Sequence, residues 1–198
     1  MRPAAARPKL LRRPERRQAL LAAAARAFAR GGFAATGLDA VAAEAGVSRV
    51  LIYRHFDSKQ ELYRAVLEQT REDLVRATGA PDNLEPASLG ALLRVAREHP
   101  DEFRLFFRHA GREPDFRAHT DWLRAAMTET ARPYLHQTLP EDRLRAWASE
   151  LVPAVAIEAI LAWLDAGCPH PDRAADSLAA MIGGVIDSIG QAGRTPGA

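Results

Sequence analysis

The chain has 198 residues, of which 47% are hydrophobic, 26% charged and 7% aromatic. That is enough to bury roughly 70% of the unfolded surface in one domain or two small ones, and it excludes disordered and collagen-like proteins. One cysteine, Cys168, excludes an intramolecular disulfide framework and any zinc site built from cysteines. The net charge of +2 is unevenly spread, because residues 1–66 hold thirteen Arg and Lys against five Asp and Glu, leaving the remainder acidic. A basic third joined to an acidic remainder points to a polyanion at one end, nucleic acid or an anionic membrane surface, although basic tails also serve merely as solubilising arms. The apolar residues are mostly Ala and Leu, which favours helix over strand. No run of about 18 uncharged apolar residues occurs, and the basic N-terminus lacks an apolar signal core, so a soluble cytoplasmic protein is expected.

Residues 1–13 carry prolines and five cations with little to pack, and read as a disordered basic arm. From Pro14 the pattern turns helical, with Leu20, Ala24 and Phe28 at i, i+4 and i+8 before Gly31-Gly32 stops it. Thr36 offers an N-cap with Asp39 three residues on, starting a short helix whose inner stripe is Leu38, Val41, Ala42 and Ala45. Ser48 caps the next helix, which runs to about His55. The intervening Ala45-Gly46-Val47 gives the two helices helix-turn-helix spacing. Ile52 and Phe56 face the core together with Val47, which turns Val50 outward and puts Leu51 at the edge. Asp57-Ser58 then caps a long helix from Lys59 to about Arg76, with Leu62, Val66 and Thr70 inward.

Beyond a linker at 81–86 the chain reads as helices over 88–98, 101–110, 115–135, 141–166 and 172–191, with Pro133 and Pro153 inside two of them. The fold class is therefore all-α. No strand alternation and no repeat is seen. The six histidines form no i, i+4 pair, no nucleophile elbow or phosphate loop is present, and neither a metal site, a cofactor nor an enzymatic activity is expected.

The run TGLDAVAAEAGVSRVLIYRHFDSKQEL from Thr36 to Leu62, with ARAFARGGFAAT before it, resembles the DNA-binding signature of the TetR family of bacterial transcriptional regulators. Thr-x-x-x-Val-Ala, Ala-Gly-Val-Ser, Ile-Tyr-x-x-Phe and Ser-Lys-x-x-Leu occur in the family's order and spacing. The resemblance covers about the first third of the chain. It implies that Thr36, Tyr53, His55 and Lys59 meet phosphates of double-stranded operator DNA while Arg49, Val50 and Leu51 face base edges, with Ser48 and Arg54 completing the DNA-facing set. The physics agrees: helix N-termini favour anions, phosphate contacts fix register, and Arg49 is able to read guanine through two parallel bonds. The family usually has a small residue and a Thr or Ser where this chain has Val50 and Leu51. Apolar contact with thymine methyls is the expected replacement, with inward packing of Leu51 as the alternative.

The resemblance divides the chain into a DNA-binding domain at 14–64, a helical effector-binding and dimerisation domain at 65–192 and a flexible tail at 193–198. Leu151 to Leu164 holds one charge, Glu158, and Ser177 to Ile186 holds none. Helices apolar nearly all round need cover on both sides. In the family the last two helices pair with a second subunit, which implies a homodimer contact through Ala154, Ile157, Ile160, Leu161, Leu164, Leu178, Met181, Gly184 and Val185. Burial within one subunit is the alternative. On the central helices Phe103, Phe106 and Phe107 share a face, and Phe116, Thr120, Leu123, Met127, Thr130 and Tyr134 form a stripe. Hydroxyls on an apolar stripe suit a pocket for a small, mostly apolar effector at Phe103, Phe107, Thr120, Leu123, Met127, Thr130 and Tyr134. Ordinary core packing, each Thr bonded back to its own helix, suits them equally. The expectation is a homodimeric repressor released from its operator by a small-molecule effector, without a membrane partner. Its rivals are a regulator of this fold without an effector and an effector-binding dimer that has lost operator recognition.

Overall fold

The computed structural model describes residues 13–79, 88–139 and 141–192, and among these it contains helices and turns but no strand. The expected arm before Arg13, the linker at 81–86 and the tail at 193–198 lie outside the described residues. The chain divides into two compact units after Val66.

In the first unit α1 spans Arg13–Ala35 and buries Leu20, Leu21, Ala24 and Phe28. It is interrupted at Gly32, whose φ of 73° and ψ of −179° belong to glycine. Then come α2, Leu38–Ala45, α3, Arg49–Tyr53, and α4, Lys59–Thr78, which crosses the boundary between the units. The expected cap at Thr36 is absent. The residue before α2 is Gly37, which offers no side-chain bond, while Thr36 is buried and turns its hydroxyl back to the Ala27 carbonyl at 3.4 Å. Packing against the end of α1 takes the side chain away from the amides of α2. The C-terminus of α2 follows the Schellman pattern: the Gly46 N–H donates to the Ala43 carbonyl at 3.2 Å, the Val47 N–H donates to that of Ala42 at 3.0 Å, and Gly46 is left-handed at φ 64°, ψ 33°. At the start of α4, Ser58 Oγ accepts the Glu61 N–H at 3.1 Å and the Glu61 carboxylate accepts the Asp57 N–H, a capping box reaching one residue further back.

Tyr63 of α4 stands edge-on to Phe28 and Phe33, with ring centroids 4.9 and 5.1 Å away. Glu44 of α2 accepts from Arg26 and Arg30 of α1, both at 2.7 Å. These two bonds, that of Arg26 foremost, hold the Glu44 carboxyl below its usual range. Val47 and Ala45, expected inside, are half-buried.

The second unit has α5, Ser88–Glu98, α6, Pro100–Arg104, α7, Ala118–Thr138, α8, Asp142–Asp165, and α9, Ala174–Ala192. Helix α8 packs on both α7 and α9, and α5 packs on α8 and α9. The continuous helix expected over 101–110 is broken: α6 passes into one π-helical turn, Leu105–His109, and a short 3-10 turn, Ala110–Arg112. Phe103, Leu105, Phe106 and Phe107 are all buried, more inward residues than one face of a regular helix offers, and the widened turn accommodates them. Arg104 and Arg108 both bond Asp165 at the C-terminal end of α8. There a carboxylate opposes the helix dipole, and these bonds, that of Arg108 first, hold its carboxyl below the usual range. Helices α7 and α8 run through Pro133 and Pro153. Although α8 is long and apolar enough to cross a membrane, 44% of its most apolar window is buried against protein.

The two glycines flanking α2 should respond oppositely to substitution. Gly46→Ala places a Cβ in the left-handed region and should cost about 1–2 kcal/mol. Gly37→Ser adds a capping hydroxyl in extended backbone with no neighbour within 4 Å of its Cβ, and should stabilise by a few tenths to about 1 kcal/mol. Equilibrium urea unfolding of both variants checks the pair.

Candidate nucleic-acid interface and an apolar cavity

Helix α3 is five residues long and hangs on Ile52 and on Phe56 just beyond it, both buried. Arg17 of α1 lies 5.3 Å over the Phe56 ring and closes that contact from outside. With this face fixed, the opposite one is presented to solvent: Val50 is 65% exposed, Tyr53 45% exposed, and Ser48, Arg49 and Arg54 are exposed beside them. Leu51 sits half-buried at the edge. Ser48 caps α3, its Oγ accepting the Leu51 N–H at a long 3.4 Å.

Polar partners organise this face. Arg49 donates through Nη1 to Asp39 Oδ2 at 3.3 Å and through Nη2 to the Tyr53 hydroxyl at 3.2 Å, and its guanidinium lies 5.6 Å over the Tyr53 ring. Lys59 is half-buried, with Nζ donating to the Phe33 carbonyl at 2.8 Å and lying 4.1 Å over the Phe33 ring. It therefore ties the start of α4 to the end of α1 as well as carrying charge. His55 is half-buried. Thr36 does not join the surface, since its buried hydroxyl is turned inward and withdrawn from any phosphate. Asp39, read from the sequence only as a capping partner, was missed as a neighbour of Arg49 because the contact crosses between two helices.

In the second unit a cavity of about 320 Å³ lies among α5, α7, α8 and α9. Its wall is Ser88, Leu89, Leu92, Met127, Thr130, Ala131, Tyr134, Leu135, Val152, Pro153, Ala156, Ala179, Ile182, Gly183 and Ile186, with no charged side chain among them. Of the expected pocket residues, Met127, Thr130 and Tyr134 line it. Phe103, Phe107, Thr120 and Leu123 do not, because they are buried in the adjoining core, where the Phe103 and Phe107 rings lie tilted with centroids 4.5 Å apart. Thr120 Oγ1 donates to the Arg117 carbonyl and Thr130 Oγ1 to that of Ala126, each at 2.9 Å, so neither hydroxyl is left without a partner. The contributions of α5, α8 and α9 went unread. The Pro153 and Ala156 of α8 and the Ala179 and Gly183 of α9 are the signal that could have shown the last two, since small side chains at facing positions leave space.

Residues 20–66 match the model of the bacterial regulatory proteins of the tetR family. Along 94% of its length the chain is 31% identical to the HTH-type transcriptional activator FasR of Mycolicibacterium smegmatis, covering 87% of that protein. The chain belongs to the TetR family. It is a helix-turn-helix, DNA-binding transcriptional regulator. It is also 38% identical, over 48% of its own length and 50% of the other's, to the HTH-type transcriptional repressor SCO4008 of Streptomyces coelicolor. A TetR-like regulator from Rhodococcus sp. RHA1 shares the fold, with a TM-score of 0.69 at 24% identity over 93% of this chain and all of that one.

For this TetR-family chain the residues expected to meet a second subunit separate into two groups. Ile157, Ile160, Leu161, Leu164 and Leu178 are buried in the protomer's own core, where α8 meets α7 and α9. A side chain already covered by its own chain offers nothing to a partner. Met181 and Gly184 are exposed, and Ala154 and Val185 are half-buried.

The surface role of α3 and the double role of Lys59 predict distinct signatures. Tyr53→Phe and Arg54→Ala should weaken binding to duplex DNA without lowering Tm. Lys59→Met should lower both, and flatten the plot of log affinity against log salt by about 0.9 of a unit for the lost phosphate contact. Fluorescence anisotropy over a salt series, with thermal unfolding of each variant, measures both.

Proposed function

We propose that the protein is a homodimeric, cytoplasmic repressor that leaves its operator when a small, uncharged, mostly apolar ligand occupies the cavity. The observation that carries this reading is the cavity itself. About 320 Å³ falls in the ~300–1,000 Å³ range of small-molecule sites, and among the described residues of its wall the side-chain hydroxyls are those of Ser88, Thr130 and Tyr134. A charged ligand would find no counter-ion among the described residues of that wall and would lose its hydration. Tyr134, 49% exposed, supplies a hydroxyl at the rim to orient an uncharged ligand.

The dimer is supported by α9. Met181 is 41% exposed, and Ser177, Ala180, Gly184 and Ser188 join it on one solvent-facing stripe, small enough for a second helix to approach closely. Two copies of α3 in a two-fold dimer would enter successive major grooves about 34 Å apart. A ligand that prefers a conformation with another spacing by ~1–3 kcal/mol lowers operator affinity by about 5- to 150-fold. The name activator carried by the relative aligned along 94% of the chain favours a second reading, in which the same DNA contacts recruit rather than block transcription. In vitro transcription from a bound promoter decides the sign.

The cavity is testable by filling it. Gly183 is on its wall, and a Cβ there meets nothing within 4 Å. Gly183→Leu should leave DNA binding intact and Tm equal or higher, and abolish the thermal shift and the operator release produced by any ligand found with the wild type. A full ligand response in Gly183→Leu would remove the effector from this cavity. For the dimer, Gly184→Glu should yield folded monomers by sedimentation velocity, whereas Ile160→Asp, which buries a charge in the protomer core, should cause unfolding.

A further inference from the structure

The charged face around α3 carries a group of the wrong sign in direct contact with its arginine. Asp39 lies in the first turn of α2, its side chain 80% exposed, beside residues that would face a polyanion. An exposed ion pair contributes little to folding, so the Asp39–Arg49 contact has no evident structural necessity. A carboxylate so placed opposes every phosphate near it. What it does locally is hold Arg49. That side chain is fixed from two helices, by Asp39 on Nη1 and by the Tyr53 hydroxyl on Nη2, with the Tyr53 ring beneath it. Arginine has five N–H donors in a planar fork, and two such bonds leave enough of them for a two-bond contact to O6 and N7 of guanine.

We propose that Asp39 is a positioning residue for base readout, holding Arg49 in the orientation that meets one base pair and penalising DNA that lacks that base. The proposal rests on the reading that α3 faces the major groove. Holding the fork in place removes rotamer freedom before binding, so less is lost when the correct base is met. Where that base is absent, Arg49 arrives with its charge already countered and gains little from phosphates, while Asp39 is still repelled by them. Its repulsion by phosphates is common to every sequence, whereas its hold on Arg49 denies non-cognate DNA a compensating phosphate contact, and that widens the difference that constitutes specificity.

The test uses the full-length protein and the duplex that wild type selects from a randomised pool, with its single-base-pair variants and an unrelated duplex of the same length. Wild type should show one base pair whose replacement costs about 5- to 150-fold, the range of a bidentate arginine contact. Asp39→Ala should reduce that preference to below about threefold and tighten binding to the unrelated duplex, with Tm lowered by no more than the few degrees that loss of a first-turn carboxylate from α2 costs. Asp39→Asn, which keeps an acceptor for Arg49, should retain most of the preference. In an Arg49→Ala background Asp39→Ala should no longer alter any base preference. The proposal is overturned if Asp39→Ala leaves all preferences intact, if its effect persists without Arg49, or if preference is lost only because the variant is unfolded at the assay temperature. Failure of wild type to select any duplex would instead overturn the placement of α3 on DNA, and this proposal with it.

Discussion

Five residues cannot sustain a helix by their own hydrogen bonds, because the first turn fixes several torsions for one bond. The presentation of α3 therefore depends on the burial of Ile52 and Phe56 and on the left-handed turn at Gly46 that aims the chain into it. Everything on the exposed face follows from that anchoring. With Ile52 inward, helical geometry leaves Val50 and Tyr53 outward, and the Arg49 guanidinium comes within reach of Asp39 on the preceding helix. The support beneath is aromatic and ionic: Tyr63 between Phe28 and Phe33, Lys59 over Phe33, and Glu44 held by Arg26 and Arg30. Each contact joins helices far apart in sequence, so a recognition surface too short to be stable alone becomes rigid.

The second unit solves a different problem. Its helices bury large apolar side chains densely in one region, around Phe103, Phe106, Phe107 and Phe116, and the π-helical turn accommodates that density. Elsewhere the facing positions are Ala131, Pro153, Ala156, Ala179 and Gly183, and the same helices leave a partly open, unfilled volume between them. Proline adds to this, because Pro153 has no N–H to give the carbonyl one turn back, so a regular, tightly packed helix is disfavoured beside the cavity. Packing and hollowness thus arise from one bundle through side-chain size and the hydrogen bond missing at Pro153. The outer stripe of α9 carries residues equally small, while its inner side forms part of the cavity wall.

Much of this was legible in the chain. The glycine stops at Gly32 and Gly46, the 3.6-residue spacing of Leu20, Ala24 and Phe28, and the opposition of Val50 to Ile52 and Phe56 are local properties, governed by backbone torsions and helical periodicity. The resemblance carried by residues 36–62 reached the family. Less legible was which side of an all-apolar helix meets its own chain. Ile160 and Met181 are both apolar, and only the packing of α8 on α7 and α9 makes one core and the other surface. Likewise the stripe from Phe116 to Tyr134 is one periodic pattern that becomes core at Thr120 and Leu123 and cavity wall at Met127, Thr130 and Tyr134.

By itself the sequence determined the helical class, the order of the helices, the short turn between α2 and α3 and the charge imbalance that marks the DNA-facing end, because propensity, periodicity and composition are properties of neighbouring residues. Only the tertiary structure decided that Thr36 turns inward to Ala27, that Asp39 reaches Arg49, and that residues from α5, α7, α8 and α9 line a partly open cavity whose described wall carries no charged side chain. Those features depend on the distance between side chains on different helices. Periodicity identifies the face a residue occupies, and nothing in it specifies what stands opposite or how much volume is left between.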